Sequence, residues 1–241
     1  MNVFSVMTLA VAPGIFWLWF FYKKDKLEPE PKHLIIKTFF LGVLLAIPVL
    51  IVQLPFVMVL GSTALLAVIV APITEELGKF LVVRWSVYSN IEFDEPVDGI
   101  IYAAAAALGF ASIENVFYLL GSYFAPQDIA EGASTTQAVL TLFVIRGLLS
   151  VPGHALWSSL WGYALGVAKF SERDRAKVLI RNGLLLAMFS HGFFNALLTI
   201  SPFLALGVLI VIPVGWRMTF HRIASALAAS PHALRPPRDE V

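Results

Sequence analysis

Cysteine is absent from the 241 residues, which excludes disulfide bonds, thiolate metal sites and a cysteine nucleophile. Charged residues are scarce as well, at 14% of the chain against 59% hydrophobic residues, and the mean hydropathy is +0.81. The net charge of +1 provides no basic surface for nucleic acid, so we expect no nucleic-acid partner. A chain this apolar is typical of a protein embedded in a lipid bilayer, and we predict one membrane-embedded, all-α domain.

Three protease motifs are also missing, namely His-Glu-x-x-His, Gly-x-Ser-x-Gly and Gly-x-Gly-Asp. The N-terminus lacks the basic start of a secretory signal peptide, and its uncharged run is long enough to cross a membrane. The sequence contains no internal repeat that we can detect. Any hydrolytic chemistry must therefore use polar groups within the hydrophobic segments themselves.

Hydrophobic runs recur along the whole chain and predict a polytopic transmembrane helix bundle. We expect seven spans, with Ala138–Leu149, which carries Arg146, as a separate interfacial helix. A rival count of nine splits both 55–88 and 138–168 in two. We divide the chain into N-terminal spans (1–60), a core of four catalytic helices (61–200), a last span (201–229) and a disordered tail (230–241). The seven spans are Val3–Tyr22, Leu34–Leu60, Ala64–Tyr88, Asp98–Tyr123, Ser150–Ala168, Asn182–Ile200 and Phe203–Trp216.

Basic residues concentrate in Lys23–Lys32, in Lys169–Arg181 and at the C-terminus. The positive-inside rule places these segments in the cytoplasm and the N-terminus outside, so we expect a multi-pass protein of the cell membrane. The count of seven places the buried acids and histidines at compatible depths, between the middle and the outer half of the membrane. We prefer it to the count of nine for that reason.

The segment Thr74–Lys79 places two adjacent carboxylates, Glu75 and Glu76, inside an apolar run. One charged side chain at the bilayer centre costs roughly 2.5–3.5 kcal/mol on insertion scales, so such a pair is expected to have a use. Lys79 lies four residues after Glu75, on the same helix face, and can neutralise it. Glu76 lies about 100° round the helix. A buried ion pair that only joins helices is the structural alternative.

Further ionisable or amide side chains occur on the following spans. Glu114 lies in a nearly uncharged helix, and Tyr118 is placed to donate a hydrogen bond to it. His154 begins the fifth span, while His191 and Asn195 share one face of the sixth. A structural role is the alternative for each residue taken singly. Together, the acids and imidazoles on four successive spans predict one shared site.

Two chemistries fit these residue types. Carboxylates and imidazoles can hold a divalent metal such as Zn²⁺, with Glu76, Glu114, His154 and His191 as the candidate ligands. Without a metal, Glu75 or Glu76 can act as the general base while a histidine assists. Asn195 can donate to a developing oxyanion in either case. Two other functions stay open, an ion-coupled transporter and a non-catalytic membrane scaffold.

The residue pattern resembles the PrsW family of membrane proteases, which is distantly related to the type II CAAX prenyl endopeptidases and the abortive-infection membrane proteins. The resemblance covers about 71–198. It implies that Glu75 and Glu76 are the catalytic carboxylates, that Lys79 supports them, and that Glu114 replaces a histidine of the CAAX relatives. It also implies a membrane-anchored substrate, such as an anti-sigma factor of a stress response, cut on the outer side. The matching motifs are Glu75-Glu76-x-x-Lys79, Asp98-Gly99-x-x-Tyr102 through Gly109-Phe110 to Glu114-Asn115-x-x-Tyr118, His154, and His191-x-x-x-Asn195.

Overall fold

The computed structural model describes residues 1–124 and 134–233, which form seven long helices and contain no strand. The predicted all-α class is therefore confirmed for the described part of the chain. Two of the helices contain a wider π-helical turn, at Leu66–Val70 in α3 and at Arg146–Ser150 in α5. The helices are α1 (Val3–Tyr22), α2 (Lys32–Leu60), α3 (63–86), α4 (Asp98–Phe124), α5 (Thr135–Lys169), α6 (Arg173–Ile200) and α7 (Pro202–Ala228).

Six of the seven helices are long and apolar enough to cross a membrane. The remaining one, α3, carries Glu75, Glu76, Lys79 and Arg84 within its 16-residue last segment. Large apolar side chains on the outer face of α2 are exposed, as expected of a surface that meets lipid; Ile47 and Ile51 are each 61% exposed. The chain is a multi-pass membrane protein.

Two boundaries differ clearly from those predicted. The expected interfacial helix at Ala138–Leu149 is wrong, because it and the fifth span form the single helix α5. That continuity also removes the nine-span count, which needed two separate spans there. The last helix continues to Ala228 rather than ending near Trp216. The predicted disordered tail lies largely in 234–241, outside the described residues.

A turn at Gly61-Ser62 separates α2 from α3. Gly61 has φ +57°, in the left-handed region where a side chain is disfavoured, and ends α2. The Ser62 hydroxyl then accepts a hydrogen bond from the Leu65 amide (3.3 Å) and caps the start of α3. This turn fixes where the helix that carries the paired glutamates begins.

Helix α4 lies at the centre of the bundle and packs against α1, α2, α3 and α5. Every residue from Asp98 to Ser112 is buried, including the alanine run Ala103–Ala107. The small residues of α4 allow close contact with the neighbouring helices. A Cβ atom added at Gly99 would lie 2.2 Å from the Gly162 carbonyl oxygen of α5. Backbones can approach this closely only where side chains are absent, so the glycines set the spacing of the helices.

Candidate active site

The paired glutamates of α3 meet the histidines of α5 and α6 inside the bundle. His191 Nδ1 lies 3.0 Å from Glu76 Oε1, and His154 Nδ1 lies 3.7 Å from Glu75 Oε2. The two imidazole ring centres are 5.0 Å apart. All four residues are buried. The convergence predicted for these side chains is therefore observed in the fold.

Lys79 lies among these groups with no exposed surface. Its Nζ atom donates to Glu76 Oε1 (2.9 Å), to Glu75 Oε2 (3.3 Å) and to His154 Nδ1 (3.0 Å). The predicted pair with Glu75 is confirmed, but the ammonium is closer to Glu76 than expected. Because Lys79 donates to Nδ1, the hydrogen-bond network assigns the ring proton of His154 to Nε2.

Glu76 is completely buried and both of its carboxylate oxygens are occupied. Oε2 accepts hydrogen bonds from the Ser158 hydroxyl (2.6 Å) and the Trp161 indole (2.9 Å), while Oε1 contacts Lys79 and His191. Ser158 and Trp161 were not predicted as site residues. Their spacing from His154, at four and seven residues, places all three on one helix face and could have revealed them.

Glu114 joins this network from α4. Its Oε2 atom accepts hydrogen bonds from His154 Nε2 (3.0 Å) and from the guanidinium of Arg146 (2.8 Å). The same guanidinium donates to Asn115 Oδ1 (2.8 Å) and lies 3.8 Å from the centre of the Tyr118 ring. Tyr118 was predicted to donate to Glu114, whereas its ring stacks on Arg146. Arg146 was not predicted as a site residue, because it was expected to lie on a separate interfacial helix.

A π-helical turn precedes the glutamates on α3. Within it the Ala71 amide bonds to the Leu66 carbonyl, five residues back. The next residue, Pro72, has no N–H, so the Ala67 carbonyl receives no donor from its own helix. Asn195 of α6 supplies that donor from its side-chain amide, at 2.8 Å. The carbonyl that Pro72 leaves free therefore links α6 to the helix of the paired glutamates.

The same arrangement precedes His154 on α5. The Val151 amide bonds to the Arg146 carbonyl, five residues back, and Pro152 then leaves the Gly147 carbonyl without a helical donor. The indole of Trp17 on α1 donates to that carbonyl at 2.9 Å. Each of these two helices thus reaches the site through a proline and a widened turn whose free carbonyl is satisfied by another helix.

A polar cavity of about 240 Å³ adjoins the histidines. A water molecule takes about 30 Å³ in the liquid, so the cavity has room for several waters or for a short piece of peptide. Its wall combines hydrogen-bond donors and acceptors with apolar surface. The lining includes Glu114, Tyr118, Arg146, Ser150, His154, Trp157, His191, Phe194 and Asn195.

Three donor atoms at the site converge as ligands of a divalent metal ion do, and in the metal-free arrangement Lys79 donates to two of them, Glu75 Oε2 and His154 Nδ1. One ligand atom each from Glu75, His154 and His191 lies within 4.8 Å of the other two. The other nitrogen of each imidazole is held by a carboxylate, Glu114 on His154 and Glu76 on His191. Histidine ligands of metals are usually oriented by such a second partner. The carboxylate among the three converging residues is Glu75. Glu76 and Glu114, which were predicted as ligands, instead contact the imidazole nitrogens that face away from Glu75.

The fold and this site together define a class of protein, a helical membrane protein that encloses carboxylates and imidazoles beside a polar cavity. The profile of a family described as "PrsW family intramembrane metalloprotease" matches residues 30–218. Similar proteins named Protease PrsW occur in Geobacillus kaustophilus (38% identical, covering 81% of this chain and 80% of the relative) and Bacillus subtilis (36% identical, covering 82% and 84%). A more distant one from Clostridioides difficile is 26% identical and covers 92% and 90%. No solved structure matches the chain significantly.

The chain belongs to the PrsW family of intramembrane metalloproteases. It is accordingly a membrane-embedded endopeptidase, and the predicted resemblance is confirmed. The family match is wider than the motif region 71–198, because it includes α2 and part of α7. Helix α1 lies outside the match although it supplies Trp17.

Proposed function

We propose that the protein hydrolyses a peptide bond of a membrane-anchored protein within the polar cavity, with Glu75 accepting the proton of the attacking water. The observation that carries this proposal is the convergence of Glu75 Oε2 with the inward nitrogens of two imidazoles, His154 Nδ1 at 3.7 Å and His191 Nε2 at 4.0 Å. A positioned carboxylate can remove a proton from water when the pair lies within hydrogen-bond reach. Glu76 is unsuited to that role because its oxygens already bind four donors.

Glu76 and Lys79 act on the other site residues. Glu76 accepts from His191 Nδ1 and so turns Nε2 towards Glu75. Lys79 contacts both glutamates and offsets one of their two negative charges where neither is exposed to solvent. Glu114 orients His154 in the same way from the opposite side. The geometry at Glu75 is thereby held before a substrate arrives.

Two side chains on the cavity wall are suited to bind the peptide carbonyl. Asn195 uses one amide hydrogen on the Ala67 carbonyl and retains a second, and its side chain lines the cavity. The Arg146 guanidinium also lines the cavity. A fixed donor directed at a developing oxyanion typically contributes about 10²–10³ in turnover rate. We assign the oxyanion contact to Asn195 and the orientation of Glu114 to Arg146.

A divalent cation such as Zn²⁺, held by Glu75, His154 and His191, supplies the positive charge that acidifies water and polarises the scissile carbonyl. The three donor atoms that face one another and the carboxylates behind both imidazoles support this assignment. The description of the family as metalloproteases supports it too. One oxygen of Glu75 would hold the cation, and the other would receive the proton of the water and then return it to the leaving amine.

The orientation we propose has the N-terminus outside and the C-terminus in the cytoplasm, because the basic segments Lys23–Lys32, between α1 and α2, and Lys169–Arg181, from the end of α5 into α6, then lie inside. Glu114 is the 17th residue of α4 counted from its cytoplasmic end, at about 24 Å from Asp98 for a rise of 1.5 Å per residue. The cavity then lies in the outer half of the membrane. A single-pass protein cut near its outer end, such as a membrane-anchored anti-sigma factor of a stress response, fits that depth.

The test is cleavage of a single-pass substrate by purified protein in detergent or proteoliposomes. Glu75→Gln keeps the shape of the side chain and should lower kcat by about 10²–10⁴-fold, the usual contribution of a general base. Glu92→Gln, an exposed glutamate in the loop before α4, is the matched control and should leave kcat unchanged. Undiminished cleavage by Glu75→Gln would disprove the assignment.

Metal removal tests the cation separately. Dialysis against a strong chelator should abolish cleavage, and stoichiometric Zn²⁺ should restore it in the wild type but not in His191→Asn. Cleavage that survives rigorous metal removal would refute the cation while leaving Glu75 as the base.

A further inference from the structure

A second polar cluster lies at the opposite end of the bundle from the cavity. The loop between α1 and α2, the loop between α3 and α4, and the segment after α7 meet there. Six carboxylates gather in this cluster, and four of them are buried, with at most 4% of their surface exposed. The buried four are Asp25, Glu30, Glu95 and Asp98, and the other two are Glu28 and Asp94.

Three of the buried carboxylates accept a hydrogen bond on one oxygen only: Asp25 from the Glu30 amide (3.1 Å), Asp98 from the Glu95 amide (2.7 Å) and Glu30 from the Tyr102 hydroxyl. Asp25 Oδ1, Glu30 Oε1, Asp98 Oδ1 and both oxygens of Glu95 have no hydrogen-bond partner among the described residues. Lys169 acts electrostatically on Asp98, Asp94 and Glu30, but its Nζ atom is used on the backbone carbonyls of residues 88 and 90. An unpaired buried carboxylate is strongly unfavourable. The four buried carboxylates therefore need either bound protons or a cation, because no lysine or arginine among the described residues forms an ion pair with them.

His232 provides an independent indication of a cation. This imidazole is 7% exposed and follows α7, far from the acids in sequence. Neither of its ring nitrogens makes a hydrogen bond of good geometry with a described residue, although Nε2 lies 3.1 Å from Asp94 Oδ2. The Ser230 hydroxyl is close enough to Glu95 to act as a neutral donor, and His232 Nδ1 lies 3.9 Å from Glu28 Oε2. One ligand atom each from Asp94, Glu95 and His232 lies within 4.8 Å of the other two.

We propose that Asp94, Glu95 and His232 form a second divalent-cation site, separate from the active site and structural in role. Two carboxylates and an imidazole suit Mn²⁺ or Zn²⁺ better than Mg²⁺ or Ca²⁺, which prefer oxygen ligands alone. The ion would join the loop before α4 to the segment after α7. Since α4 carries Glu114, the site fastens the cytoplasmic end of the helix whose other half reaches the cavity.

The experiment uses the full chain with the first donor set disabled by Glu75→Gln and His191→Asn, so that binding at the second site is measured alone. The metal-free protein in detergent is titrated with Mn²⁺, and bound ion is counted by electron paramagnetic resonance. We expect one tightly bound Mn²⁺ per chain and an unfolding temperature that rises by several degrees when the site is filled. Binding of no Mn²⁺ to this background would overturn the proposal.

Two variants in this background test the ligands. Glu95→Gln and His232→Asn should each weaken Mn²⁺ binding at least about tenfold, as loss of a ligand or its orienting partner does. Glu92→Gln in the same loop and His221→Asn on the exposed face of α7 are the matched controls and should bind Mn²⁺ as the background does.

Folding is checked in the presence of chelator. Glu95→Gln removes a buried charge without its cation, so it should unfold at or above the temperature of the background. Retention of Mn²⁺ by both ligand variants would refute the site. A Glu95→Gln protein less stable than the background in chelator would refute the claim that this carboxylate lacks a partner.

Discussion

Replacing Lys79 by methionine removes the only lysine ammonium at the active site. Lys79 is 0% exposed and its Nζ atom contacts Glu75, Glu76 and His154. Methionine has a similar length and an apolar, flexible side chain, so the change deletes charge with little change in volume. The two glutamates would then share a buried region without their neutralising partner. We expect a large loss of stability.

The size of that loss follows from the burial of the pair. Removing one partner of a buried ion pair typically costs about 3–5 kcal/mol. For a chain of 241 residues each kcal/mol shifts the unfolding temperature by roughly 2–4 °C, so Lys79→Met should unfold roughly 6–20 °C below the wild type. Adding Glu75→Gln to Lys79→Met balances the charge again and should recover most of the shift.

The assay is thermal unfolding of the purified protein in detergent, followed by tryptophan fluorescence with a chelator present. Lys177→Met is the matched control, because Lys177 forms a surface pair with Asp174 (2.9 Å) and is 64% exposed. Exposed pairs contribute about 0–1 kcal/mol, so the control should shift by a few degrees at most. A Lys79→Met protein as stable as Lys177→Met, or a double variant no better than the single one, would contradict the reasoning.

Three further predictions concern residues other than the paired glutamates Glu75 and Glu76. Trp17→Phe leaves the Gly147 carbonyl in the π-helical turn of α5 without a donor and should lower kcat by roughly tenfold, the equivalent of about 1.4 kcal/mol. Trp19→Phe is the control, because Trp19 is 57% exposed, and it should leave kcat unchanged. Burial raises the pKa of Glu30 from 4.5 to about 8, so between these values the folded state keeps a proton that the unfolded chain loses. The free energy of unfolding, measured with a chelator present, should therefore fall as the pH rises from about 5 to about 9. Glu30→Gln should flatten that fall. A Cβ atom at Gly162 would lie 2.5 Å from a backbone oxygen of α4, so Gly162→Leu should abolish folded protein on size exclusion, while Gly121→Leu, with nothing within 4 Å, should be tolerated.

The helical class and the convergence of the site residues could be predicted from the sequence, because ionisable side chains are unusual in apolar segments. Carboxylates and imidazoles are costly in an apolar segment, so each one stands out, and spacing of four residues predicts which of them share a face. The contact between Glu75 and Lys79 was predicted in that way and is present at 3.3 Å.

The roles within the site could not be predicted from spacing. Glu75 and Glu76 are adjacent and chemically identical in sequence, and only the fold places Ser158 and Trp161 on Glu76. Arg146 was misplaced because a widened helical turn keeps α5 continuous through a segment that resembles two helices. Pro152 within that segment favours a break, but the tertiary contact from α1 satisfies the freed carbonyl and the helix continues.

The burial of α4 on all sides restricts changes in the length of this helix among members of the family. Its residues from Asp98 to Ser112 have no free face on which an alteration could be absorbed, and the same rod carries Glu114 at the catalytic level. Inserting a single amino acid among the alanines would advance Glu114 by 1.5 Å and swing it through about 100°, away from His154 and Arg146. Length variation among relatives should therefore be confined to the loops and the terminal helices. The number of residues between Asp98 and Glu114 of α4 should stay constant.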